Sequence, residues 1–115
     1  MMENEKYEGQ DFYCDRVFSG KQKVERLFET ENILAFYHTK PFWEHHIVVV
    51  PKLHISSLLA LEDEQLILEV LSTVKRAAAF LLDKTGAVRV LTNLGEYQDS
   101  KHLHFHVISG RQIRD

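Results

Sequence analysis

The sequence predicts an α+β domain built on an antiparallel sheet. One long stretch, LEDEQLILEVLSTVKRAAAFLLDKTG, repeats apolar residues at helical spacing. Roughly five shorter segments rich in β-branched and aromatic residues surround it, joined by short turns.

The chain has 115 residues, which suits one domain. Residues 1–10, MMENEKYEGQ, are polar and read as a disordered tail, leaving a single domain over 11–115. KVERLFETENILAFYH reads as two strands around the turn Thr30-Glu31-Asn32. Val24 in the first, and Ile33, Ala35 and Tyr37 in the second, alternate with their neighbours. TKPFWEHH is a loop punctuated by Pro41, and HIVVVP is a strand stopped by Pro51. In the helix, Leu66, Ile67, Val70, Leu71, Val74, Ala77, Ala78 and Leu81 form a core-facing stripe. Glu62, Asp63 and Glu64 near its start suit the helix dipole, Lys84 lies near its end, and Gly86 is the C-cap. Leu68 and Phe80 fall beside or outside the stripe and mark either core or a subunit contact, while Lys75 and Arg76 are solvated charges. AVRVLTN is a strand, LGEYQDS a loop and KHLHFHVIS the last strand. The helix covers one face of the sheet.

Hydrophobic residues make up 44% and charged residues 27%, which fits a soluble globular protein rather than a disordered one. The net charge of −3 argues against nonspecific binding to duplex nucleic acid, which needs a basic face. A small nucleotide remains possible, because a few local donors can hold its phosphate. Cys14 stands alone, so neither an intrachain disulfide nor a four-cysteine zinc site can form. The polar start and the shortness of the IVVV run predict a cytoplasmic protein without membrane contact.

The most informative stretch is KHLHFHVISG, residues 101–110. On a strand, His102, His104 and His106 share one face, facing a groove or solvent, and Leu103, Phe105 and Val107 share the other, under the helix. Adjacent histidines are then about 7 Å apart. Three readings compete: an ordinary polar strand face; a metal site, with two histidines at i and i+2 and a third ligand from His106, His45, His46 or His54; and a nucleophilic site. A metal enzyme of the His-x-His kind also needs a downstream carboxylate, and after His106 there is only Asp115. In the nucleophilic reading, neutral imidazole attacks phosphorus and forms a phosphoimidazole, while flanking histidines orient it and donate to the phosphate.

HLHFHVI resembles the His-φ-His-φ-His-φ-φ motif (φ apolar) of the histidine triad, or HIT, superfamily. ENILAFYHTKPFWEHHIVVVPKLHI is similar to that family's segment running from a LAF strand to GH-φ-φ-φ-P-K-x-H-φ. Asn93 fits the asparagine ending the penultimate strand, Gln98 fits the glutamine of a GQSV or GQTV loop, and SGRQI resembles the GGRQM of the Hint-type branch. The resemblance spans about residues 11–113. It implies an α+β fold with a five-stranded antiparallel sheet and one long helix and a short one on one face, in a homodimer. It also implies nucleotidyl hydrolysis or transfer at the α-phosphate of a nucleoside phosphoramidate or dinucleoside polyphosphate, without a cofactor or metal in the chemistry. By motif position His104 is the nucleophile, His106 contacts the phosphate or leaving group, and His102 supports the network with His54 nearby. Leu34 and Phe36 line a purine-base pocket, with Phe12 or Tyr13 as neighbours; Asn93, Gln98 and Ser100 also belong to the substrate site.

Several positions depart from the pattern. Relatives often carry Cys-x-x-Cys near the start; here DFYC places Asp11 at the first position, so no structural zinc is expected. His38 stands where relatives have an aspartate that binds both ribose hydroxyls. Asp99 replaces a serine or threonine near the leaving group, with Ser100 one place later, and needs a partner such as Lys101 or Arg111. EYQ replaces the glycines before the glutamine. The leading expectation is therefore a hydrolase using His104 covalently. The alternatives are a weakly catalytic nucleotide-binding protein on the same fold and, third, a metal-dependent hydrolase. Trp43 is expected to stack on a base or form a lid or dimer contact, one of His45 and His46 to be exposed, and Cys14 to be a buried filler.

Overall fold

A computed structural model describes residues 11–115, so the tail expected over residues 1–10 lies outside the described residues. The strands are β1 (Glu25–Glu29), β2 (Ile33–Tyr37), β3 (Trp43–Pro51), β4 (Arg89–Leu91) and β5 (Phe105–Gln112), and the long helix is α1 (Glu64–Thr85). They form one sheet in the order β1-β2-β3-β5-β4, with every neighbouring pair antiparallel.

Alternation in β2 and β3 divides the molecule into two layers. Ile33, Ala35, Ile47 and Val49 point to one face, where they join Leu103, Phe105 and Val107 beneath Val70, Val74, Ala77 and Leu81 of α1. Leu34, Phe36, Val48 and Val50 point to the other face, which a short helical turn, Tyr13–Val17, covers with Tyr13 and Val17. The long helix and the short one therefore cover opposite faces rather than the one face expected, because alternation along β2 and β3 leaves apolar side chains to be covered on both sides. Because β2 and β3 are buried on both sides, both read as nearly continuous apolar runs.

The helix ends follow from local chemistry. The Asp63 carboxylate caps the start by accepting from the backbone N–H groups of Gln65 and Leu66 at 2.9 and 3.2 Å. At the other end Gly86 takes φ +84°, and its N–H donates to the Leu82 carbonyl. Leu71, expected in the core stripe, is instead 47% exposed. It shares an outer face with the exposed Leu68 and Leu82.

Strand boundaries differ from expectation in several places, with Val24 outside β1, β4 shorter than AVRVLTN and β5 running on to Gln112; two strand starts bear on the site. β3 begins at Trp43 rather than near His46, because Trp43 pairs with Gln112 and His45 with Ser109 across an irregularity at Glu44. There the Glu44 carboxylate accepts the Arg111 N–H at 2.8 Å, and any Cβ on Gly110 (φ +86°) would run into that carboxylate. β5 starts only at Phe105, so His102 and His104 precede the ladder. Its partner strand ends at Pro51, and Leu103 N–H donates instead to Ile55 O at 2.6 Å.

Candidate active site

Antiparallel register builds one wall of the site. Phe36 faces Val48 and Val48 faces His106, placing all three on the face away from α1. Alternation carries His104 to that face and buries it. A cavity of about 370 Å³ opens here, lined by Phe36, His38, Asn93, Ser100, His104 and His106 from the expected set. Phe12 and Tyr13 line it too, as do Phe42, Tyr97, Asp99 and Arg114. The Ser100 hydroxyl is held near the mouth by accepting the Phe12 N–H at 3.1 Å.

The hydrogen bonds assign the histidine tautomers. His104 Nδ1 is 2.7 Å from the His102 carbonyl, which can only accept, so Nδ1 carries the proton and Nε2 holds a free lone pair. Phe42 N–H donates to His46 Nδ1 at 3.1 Å, which places the proton of His46 on Nε2. That N–H donates at 2.8 Å to His106 Nδ1, leaving His106 with an Nε2–H donor. Lys40 N–H donates to His38 Nδ1 at 2.9 Å, so His38 also presents only an N–H. The His38 and His46 rings lie 4.4 Å apart, and the His104 and His106 rings 5.0 Å.

Burial keeps this group neutral. It pushes the pKa of His38 down to about 4 and those of His46 and His106 down to about 3, with the neighbouring imidazoles adding to the effect. Burial also lowers His104, against the opposing pull of the His102 carbonyl and the charges of Asp99 and Asp11. A neutral ring with Nδ1 anchored and Nε2 free is the form that can attack an electrophile.

Not every expected residue reaches the cavity. Leu34 is wholly buried beneath the wall and supports Phe36 rather than touching a ligand. Gln98 is buried and donates to Ser56 O at 2.7 Å, tying two loops together. His102 does not face a groove: it is completely buried, with Nε2 donating to Pro51 O at 2.7 Å where the ladder ends. His54 lies on the far side of His102, against Asp11. Neither expected partner holds Asp99, since Arg111 pairs with Glu44 and Lys101 donates to the carbonyls of Gly95 and Gln98. Glu44 is also outside the cavity, and Trp43 packs near Arg89 rather than at the base pocket.

His46 and Phe42 were missed as site residues. His46 is 4% exposed, and the only sequence signal was its place in HHIVVVP. Cys14 is not a buried filler: it is half-buried, with Sγ 3.5 Å from His102 Nδ1 and 4.0 Å from His54 Nδ1. Burial, followed by the Asp11 carboxylate, pushes its thiol up to about 11. Burial also raises Asp11, but the Cys14 N–H and His102 outweigh it and hold the carboxyl below its usual range. Asp11, Cys14, His54 and His102 are a set that could hold a metal ion, their ligand atoms all within 4.8 Å of one another.

The HIT domain family model matches residues 19–113. An uncharacterised HIT-like protein of Helicobacter pylori is 30% identical over 98 residues, 84% of this chain and 93% of that protein. The structure of a HIT family hydrolase from Legionella pneumophila superposes with a TM-score of 0.76 at 27% identity, covering 90% of this chain and 95% of that one. A hypothetical histidine triad nucleotide-binding protein from Sulfolobus tokodaii gives a TM-score of 0.77 at 28% identity, covering 90% and 70%.

Proposed function

Because the chain belongs to the HIT domain family, we propose that it is a nucleotidyl hydrolase acting at the α-phosphate of a purine nucleoside phosphoramidate, or of a dinucleoside polyphosphate, through a covalent nucleotidyl-histidine. The observation that carries this reading is the tautomer of His104, with Nδ1–H spent on the His102 carbonyl and the Nε2 lone pair free at the cavity.

The steps follow from that geometry. His104 Nε2 attacks phosphorus, and the bond to the leaving amine or phosphate breaks. The phosphorylated ring is cationic, and its Nδ1–H to the His102 carbonyl spreads that charge. His106 Nε2–H donates to a phosphoryl oxygen as charge develops there. The departing amine takes its proton from solvent water at the exposed end of the cavity, where Asp99 and Ser100 lie, whereas a phosphate leaves as its anion. Water then attacks the phosphoimidazole and regenerates neutral His104. Phe36, Tyr13 and Phe12 form the apolar walls suited to a base. None of these steps requires a metal at the reacting atoms.

Asp99 favours a second reading, that of a weakly catalytic nucleotide-binding protein. An exposed carboxylate at the cavity, with Lys101 and Arg111 engaged elsewhere, opposes an anionic substrate. A panel of nucleoside phosphoramidates and dinucleoside polyphosphates separates the two. Turnover at saturating substrate, retained in chelator, supports the hydrolase. Binding without turnover of any member selects the second reading.

We further propose a homodimer using the outer face of α1, where Leu68, Leu71 and Leu82 are exposed together. A monomeric mass at micromolar concentration refutes it.

A further inference from the structure

We propose that the nucleotide this chain takes carries a second phosphate, on the 2′ or 3′ oxygen of its ribose, held by Arg114 and His38. This rests on the nucleotidyl reading of the cavity and adds the identity of the sugar. With the 5′ phosphorus at His104 Nε2 and a phosphoryl oxygen at His106, the ribose lies toward His38, whose ring centre is 6.3 Å from that of His106 in the same cavity. His38 also stands where the family pattern places an aspartate for the ribose hydroxyls.

What His38 offers there is the reverse of a carboxylate. Its Nδ1 takes the Lys40 N–H at 2.9 Å, so the ring presents only an Nε2–H. A ribose hydroxyl can accept from that N–H, but its own proton loses the acceptor that an aspartate provides. A phosphate monoester only accepts, and it carries about −1.5 to −2 charges at pH 7. It matches the N–H with no proton left over.

Arg114 supplies the opposite charge. Its guanidinium carbon lies 4.5 Å over the Phe42 ring, and the edge contact between Phe42 and His38 has ring centres 5.5 Å apart. All three residues line the cavity. Among the described residues no carboxylate pairs with Arg114, whereas nearby Arg111 pairs with Glu44. A fork of donors steadied on an aromatic face is organised in advance for a phosphate. Burial lowers the pKa of His38 most, then His104, then Arg114, so the guanidinium acts on the His38 ring itself. Asp99, the one carboxylate among the described cavity residues, is among the groups that act on His104. The cavity is thus acidic beside the nucleophile and cationic beside the sugar. Dinucleotide-binding sites use the same exchange: an acidic residue holds free ribose hydroxyls, and an arginine accommodates a phosphorylated ribose. Because the chain carries a net charge of −3, attraction of the added phosphate reports a local site rather than the protein's overall field.

The full chain is titrated by calorimetry with adenosine 5′-monophosphate, adenosine 2′,5′-bisphosphate and adenosine 3′,5′-bisphosphate, at low and high salt. We expect one bisphosphate to bind about tenfold more tightly than the monophosphate, or better, and to lose affinity more steeply as salt is raised. Which of the two it is assigns the oxygen. Arg114→Gln, at an exposed position, should shrink the ratio to about two- or threefold, and Arg114→Lys should keep part of it. His38→Asp should invert the ratio, because a carboxylate then faces the added phosphate. Equal wild-type affinity for all three nucleotides, tighter binding of the monophosphate, or an unchanged ratio in Arg114→Gln overturns the proposal while leaving the hydrolase reading to its own substrate panel. Preference for a bisphosphate without turnover of any panel member supports the sugar site and defeats the hydrolase reading alone. Binding of none of the three overturns both.

Discussion

Replacing His46 tests whether the site depends on a fixed tautomer at His106. His46 does not line the cavity; it takes the Phe42 N–H on Nδ1 and donates from Nε2 to His106 Nδ1 at 2.8 Å. His46→Phe keeps a ring in the buried space but leaves His106 Nδ1 without its donor. His106 can then move its proton to Nδ1 and turn an acceptor toward the phosphoryl oxygens. Leaving a buried partner unsatisfied costs about 1–3 kcal/mol, which at about 1.36 kcal/mol per decade is about a 5- to 150-fold loss in kcat/KM. The loss should fall mainly on kcat, because the donor acts most strongly as charge develops. His46→Gln, whose amide can donate to the same atom, should recover much of the loss. The assay is steady-state hydrolysis of a nucleoside phosphoramidate, with nitrogen NMR of the His106 ring reporting its tautomer. Wild-type kcat in His46→Phe, or an unchanged His106 tautomer alongside a large loss, refutes the reasoning.

His104→Asn should lose more, beyond the ~10²–10⁴ typical of acid–base groups, while nucleotide affinity stays within a few fold; a variant retaining a tenth of the activity would sink the covalent route. His38 offers ribose only an N–H donor, so a ribonucleotide should be preferred over its 2′-deoxy analogue by less than roughly tenfold in kcat/KM, and His38→Asp should widen that gap; a hundredfold preference unchanged by the substitution shows that ribose is read elsewhere. Acid should destabilise the fold. An unfolded chain takes up protons near the ordinary histidine value of 6.5, whereas folded His38 resists until about 4, and His46 and His106 until about 3. Stability is therefore level above pH 6.5 and falls as pH drops from there toward 4, by at most about 1.4 kcal/mol per pH unit for each histidine; a midpoint that rises between pH 7 and pH 5 contradicts this.

Local period and local chemistry were enough to read much of this protein from its sequence. The helical repeat placed α1 to within a few residues, Gly86 was legible as its C-cap and Asp63 as one of the carboxylates at its start, and period-two alternation put Leu103, Phe105 and Val107 under the helix with His104 and His106 on the other face. The triad motif identified the family, now supported by a domain match over residues 19–113. What the sequence could not decide depends on pairing between distant segments. Whether Trp43 begins a strand depends on Gln112, and whether His102 lies in a ladder depends on where Pro51 ends its neighbour. His46 became a partner of His106 through a contact 60 residues apart, and adjacent histidines look alike until a second strand assigns them to opposite faces. Asp11 and Cys14 read as a broken motif in the linear pattern, whereas the fold gathers them with His54 and His102, their potential ligand atoms within 4.8 Å of one another. Those separations are set by how the short helical turn docks on the sheet, and only the tertiary structure contains them.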